Sequence, residues 1–212
     1  MTYQELIREV ELNIQDASQE LIDSIPSRIN RAIEFIAGEI LFPDLLKLGS
    51  VTTIVGQATL TMPADFEGKL LFCGRDKGQI SIKPGVDDIM ELDSNFEDVG
   101  DVMAVAVMGD TMYYWKSPAT ATILPILYYK TVTPLVASSD VPSFIPTGDM
   151  QEKLIVSKVT MDIFDKIEQG FEGDKVNYLS YKIKLREAIV EARVWIVKRN
   201  KNMVKYSTMW SS

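Results

Sequence analysis

The spacing of apolar residues changes twice along the chain, from helical to alternating and back to helical. Near the start, Leu6, Ile7, Val10 and Ile14 fall on one helical face. Thr2 and Glu5 precede them as a T-x-x-E capping box, which predicts the helix start. Ser18 and Glu20 interrupt or close this helix. A second start follows at Ser24-Ile25-Pro26, with proline at a first-turn position. Ile29, Ile33, Ile36 and Ile40 then recur at helical steps, and Phe42-Pro43 predicts the end.

From about Gly49 the pattern becomes strand-like. SVTTIVGQATLTMP reads as a hairpin turning at Gly56-Gln57, and KLLFCG with QISIK as a second pair around RDKG. VDDIMEL predicts one short helix. DVMAVAVMG and TMYYWK predict a third hairpin around Gly109-Asp110. ATATILPILYYKTV is a long strand whose Pro125 predicts an edge position or a bulge, because proline cannot donate to a ladder. A polar loop with Pro134, Pro142 and Pro146 leads out of this region.

Helical spacing returns after Thr147 or Asp149, either of which can cap. Met150, Leu154, Ile155, Val159, Ile163, Phe164 and Ile167 make a wide apolar face. Gly170 and Gly173 bracket a connection, and Asp174 can cap the last helix. There Val176, Leu179, Ile183, Ile189 or Val190, Ala192, Trp195 and Ile196 carry the pattern. The economical arrangement is an α+β fold, a four-helix bundle of two N-terminal and two C-terminal helices with an inserted antiparallel β module. The expected boundaries are 1–48 and 147–201 for the bundle, 49–146 for the module with its exit loop, and 202–212 for a C-terminal tail.

Composition narrows the function. The 212 residues contain no histidine and one cysteine, Cys73. These absences remove the usual general base, the usual triad, an internal disulfide framework and most transition-metal sites. The reading is a non-enzyme with no cofactor and no metal. No apolar run is long enough to span a bilayer, and the acidic start MTYQELIREVE lacks signal-peptide features, so no membrane partner is expected.

Charge is distributed unevenly. Between Lys182 and Lys205 eight basic residues face only Glu187 and Glu191, a segment of +6 in a chain of −8. A basic C-terminal helix on an acidic body suggests a surface for an acidic partner. The alternative is a solvated face whose cations complement the helix dipole. The carboxylates from Asp87 to Asp101 do not keep EF-hand spacing and read as a solvated helix and loop. Asp65 and Glu67 lie near aromatic residues and admit a glycosidase-like pairing. Cys73 reads as a small buried hydrophobe. In Tyr113-Tyr114-Trp115 and Tyr128-Tyr129, strand alternation turns one ring inward and its neighbour outward.

The order of segments resembles the head-to-tail adaptor (connector, head-completion) proteins of tailed bacteriophages, particularly short-tailed ones. TYQELIREVEL and PSRINRAIEFIAGEI match that family's opening helices. MPADF and ILYYKTVTPL resemble the start and end of its β module, and IPTGDMQEKLIVSKVTMDIFDKI its second helical half. The acidic VDDIMELDSNFEDVGDV departs from the family's usual middle.

The resemblance implies a structural virion protein. It would form a homo-oligomeric ring, commonly of twelve copies, that joins the portal protein to tail or nozzle proteins. DNA would pass through the ring without sequence-specific binding. The C-terminal segment would reach the portal, which makes Arg193, Lys198, Arg199, Lys201, Val204, Tyr206, Met209 and Trp210 the candidate contacts. Two other readings stay open: a tail-associated carbohydrate-binding or hydrolase module using Asp65 or Glu67, and a free cytosolic interaction protein.

Overall fold

The computed structural model describes residues 1–14, 18–75, 78–169 and 175–208, from residue 200 onward by backbone alone. The chain divides into two compact units, Met1–Asp44 with Val132–Ser212, and Leu45–Thr131.

The first unit is helical. Helix α1 (Tyr3–Asn13) opens with the capping box formed in full: Thr2 accepts from the Glu5 N–H, and Glu5 accepts from the Thr2 N–H. Two of the donors orphaned at a helix start are thereby satisfied. A short α2 (Gln19–Asp23) leads into α3 (Ile25–Glu39), which carries Pro26 in its first turn. Ile29, Ile33 and Ile36 on α3 are fully buried, each contributing about 1.5–3 kcal/mol over exposure.

The chain re-enters this unit as a continuous helical run. It comprises α5 (Gly148–Gln151), capped by Thr147, then a π turn (Glu152–Val156) and α6 (Ser157–Ile167). The π turn widens the helix, so three successive residues, Leu154, Ile155 and Val156, are all buried. It packs against α1, α3 and the final helix α7 (Val176–Thr208).

A four-helix bundle is therefore not the architecture. Among the described residues the N-terminal part contains three helices, and the run 148–167 is a hub. Helices α1 and α3 pack on this hub and on each other, while α7 packs chiefly on α6 and the π turn. Periodicity showed which residues are apolar but not that one helix is buried against all the others.

The connection from 132 to 146 has no regular structure, yet its backbone is pinned repeatedly. The Asn30 side chain donates to the Leu135 carbonyl at 3.0 Å and accepts from the Leu135 N–H at 2.8 Å. The first N–H groups of α1 donate into the loop, Tyr3 to the Asp140 carbonyl at 2.7 Å and Gln4 to that of Ser138 at 3.1 Å. The Asp140 carboxylate accepts from the N–H groups of Val136 and Ala137, which hold it below the usual carboxylate range. Buried Gln151 donates to the Ile145 carbonyl at 2.9 Å and accepts from the chain's amino terminus. Phe144 meets Phe42 edge-on at 5.3 Å.

The second unit contains ten short strands: β1 (Leu46–Thr52), β2 (Thr59–Thr61), β3 (Phe66–Arg75), β4 (Gly78–Gln79), β5 (Ser81–Ile82), β6 (Val99–Gly100), β7 (Ala104–Met108), β8 (Thr111–Trp115), β9 (Ser117–Pro118) and β10 (Ile123–Lys130), with α4 (Asp87–Met90) after β5. One sheet runs β1-β10-β3-β4 and another β2-β8-β7-β5, while β6 and β9 pair separately. The two larger sheets share one core, including Phe66, Cys73, Ile126 and Tyr128 from the first and Val105, Met112 and Tyr114 from the second. Ala104 and Ala106, on the other face of β7, pack with Ile89 of α4. Strand β7 is thus covered on both faces, and the small residues admit the helix.

Several expectations change here. The module is not purely antiparallel, since β5–β7 and β6–β9 are parallel pairs. The expected first hairpin does not form: β1 pairs with β10, and β2 with β8 in the other sheet. Strand β10 is central rather than an edge. Pro125 pairs with Ser50 of β1 but lies outside the β10–β3 pairs, which begin at Ile126↔Cys73, so its missing N–H interrupts no rung of that ladder. Gly74 stands where any Cβ would come within 2.8 Å of the Phe72 ring. The β7–β8 hairpin forms as predicted, with Gly109 at φ 60°.

Cys73 is fully buried, and burial pushes its thiol up to about 12. The thiolate is the reactive form. A thiol reagent is therefore expected to leave the native protein unlabelled and to modify one group after denaturation. Labelling of the native state, read by mass spectrometry, would contradict this burial.

Candidate functional site

Helix α7 carries all the candidate interaction residues except Met209 and Trp210. At ~1.5 Å per residue its 33 residues extend ~50 Å. Among its residues with described side chains, Leu185, Ala188 and Ala192 alone are buried, a narrow stripe at steps of three and four. Val176, Leu179 and Ile183, expected on the inward face, lie outward instead. With Val190, Val194 and Val197 they form a row that is 46–66% exposed. At 100° per residue this row lies opposite the buried stripe. The helix therefore has two apolar faces, only one of which is covered within the chain.

Near its start α7 is anchored by stacking. Tyr181 stacks on Phe164 of α6 at 5.8 Å, and Lys184 and Lys182 sit over the Tyr181 and Tyr178 rings. Lys153, in the π turn, bridges Asp149 at 2.8 Å and Glu191 of α7 at 3.2 Å. These two hydrogen bonds, Asp149's the larger, raise the Lys153 ammonium above its ordinary value.

The candidates fall into four groups. Arg193 donates to the Glu39 carbonyl at 3.1 Å and pairs with its carboxylate at 3.5 Å, placing a cation at the C-terminal end of α3. Arg199 pairs with Asp44 at 3.2 Å and lies over the Trp195 ring at 5.0 Å. Both arginines thus fasten α7 to the residues at the end of α3, a role their spacing did not signal. Lys198 is exposed. Lys201, Val204 and Tyr206 lie on the helical backbone, with side chains outside the described residues. Met209 and Trp210 lie outside the described residues altogether.

Asp65, offered as a catalytic carboxylate, is a strut. It accepts from the Tyr128 hydroxyl at 2.7 Å and pairs with Lys47 at 2.7 Å, and its backbone carbonyl accepts from Thr131. The Lys47 bond first, and then the Tyr128 bond, hold its carboxyl below the usual range. A general acid needs the opposite shift. Glu67 is exposed at the start of β3. Among the described residues no cluster of histidine, cysteine or carboxylates could hold a metal ion, and no helix is long and apolar enough to cross a membrane.

The site is thus a basic helix with two apolar faces, and the carboxylate of Asp65 serves as a strut. A family model described as SU10 adaptor protein matches residues 1–196, and the chain belongs to that family of phage adaptor proteins. The family is structural rather than catalytic, and it implies a virion component that meets portal and tail proteins. No curated protein matches the chain.

Proposed function

We propose that the protein is a subunit of an adaptor ring that joins the portal at the capsid vertex to the tail and extends the DNA channel. In the family's common form the ring has twelve copies. The observation that carries this reading is α7, a long basic helix with an apolar face left uncovered in its own chain. Beyond Arg199, the segment with Lys201, Val204, Tyr206, Met209 and Trp210 forms the portal contact, together with Lys198. Arg193 and Arg199 set the direction of α7 through Glu39 and Asp44. The net negative body disfavours retention of DNA in the channel, because like charges repel. Tail or nozzle proteins dock on the far side of the ring.

Deletion of 202–212 tests the portal assignment. The truncated chain is expected to fold normally and to lose binding to portal-containing heads. Binding at the full-length level would overturn the assignment, and absence of rings in negative-stain images of full-length chain on such heads would overturn the ring.

A further inference from the structure

We infer that the outward row of α7 docks on the acidic N-terminal helices of a second copy of this chain, so that successive subunits join head to tail. The inference rests on the ring reading above and names the surface that closes it. Val176, Ile183, Val190 and Val197 recur every seven residues, the spacing of a helix seam that buries against another helix. Leu179 and Val194 broaden the row, and all six residues are exposed.

Charge selects the occupant. Helix α7 carries +6, so pairing its row with the same row of another copy would bring like charges together. Residues 1–44 carry nine carboxylates against three arginines, a net −6. On the exposed side of that segment Leu12 is half exposed and lies beside Glu11, with Glu5, Glu20 and Asp23 also exposed. An apolar row flanked by Lys182 and Arg186 meets there an apolar residue flanked by acids. Because α7 and α1 are different surfaces of one chain, the contact is heterologous and propagates from copy to copy, closing as a ring if the rotation allows.

The test is self-association of the full chain by sedimentation, with I183E and V190E as variants. Both positions are exposed in the single chain, so thermal unfolding should match wild type. Burying an unpaired carboxylate in the seam is expected to weaken association by about 100-fold or more. Added salt should weaken the wild type as well. Mixing an L12C chain with a V190C chain under oxidation gives the second readout, and buried Cys73 does not interfere. A 12–190 disulfide is expected. A monomeric wild type, a V190E that associates as wild type does, or 190–190 disulfides in place of 12–190 would each overturn the inference. The ring itself is decided separately on portal-containing heads, so rings there with either variant at full strength would sink this contact and leave the ring standing.

Discussion

Replacing Asn30 by alanine is expected to lower the melting temperature of the helical unit by roughly 5–10 °C. The side chain makes two hydrogen bonds to one residue, accepting from the Leu135 N–H and donating to the Leu135 carbonyl. It stands in for a neighbouring strand at a point where the loop has none. Leu135 is itself buried, so truncation leaves its backbone donor and acceptor short of partners as well as deleting two bonds. The expected loss is about 2–3 kcal/mol, toward the upper range for a single polar substitution. Asn30→Asp tests the geometry, since aspartate keeps the acceptor and loses the donor. It should fall between wild type and alanine. Hydrogen exchange should accelerate in peptides covering 132–145 and the start of α1, while β10 stays protected. An alanine variant with wild-type exchange in the loop would show that the loop is held without Asn30, by Asp140, Gln151 and the first N–H groups of α1.

Local signals were legible in the sequence and non-local ones were not. The capping box at Thr2 and Glu5, the first-turn Pro26, the Thr147 cap and the Gly109 hairpin each depend on residues a few positions apart, and all formed. The pairing of β1 with β10 joins residues far apart in sequence, from Leu46↔Tyr129 to Thr52↔Ile123, across the whole β unit, and no local pattern encodes it. The parallel β5–β7 pair needs a crossover, which reads in the sequence as an ordinary short helix and loop. Asn30 looked like one polar residue on a helix because its partner lies 105 positions away.

Helix α7 shows the limit most clearly. A helix with apolar residues on two opposite faces has no single inward side, and the periodic reading mixed the two: Ala192 is buried as expected, while Val176, Leu179 and Ile183 lie outside. The +6 charge was readable, but the attachment of Arg193 and Arg199 to Glu39 and Asp44 depended on the fold. That attachment changes the site reading. It removes two cations from the set available to a partner and shifts the proposed portal contact toward the residues that follow.

Tyr128→Phe should destabilise the β unit by about 1.5–3 kcal/mol. The phenol is buried while its hydroxyl donates at 2.7 Å to the Asp65 carboxylate, and hydrogen bonds to charged groups are the stronger ones. Phenylalanine keeps the ring against Phe66 and removes only that bond. The Lys47–Asp65 ion pair is partly exposed on both sides and contributes less. Tyr128→Phe should therefore cost more than Lys47→Met.

The pH dependence follows from the direction of the Asp65 shift. Its folded carboxyl lies below the unfolded value, because Lys47 and Tyr128 both bond the ionised form. The strut is fully present above the unfolded carboxyl range near ~4 and is lost as pH falls through the lower folded value. Asp65→Asn should thus be weaker than wild type at neutral pH and converge on it in acid. Hydrogen exchange at β10 amides measures both effects without interference from the helical unit. A stability difference between Asp65→Asn and wild type that persists unchanged below the folded value would mean that the carboxylate's charge contributes nothing to the strut.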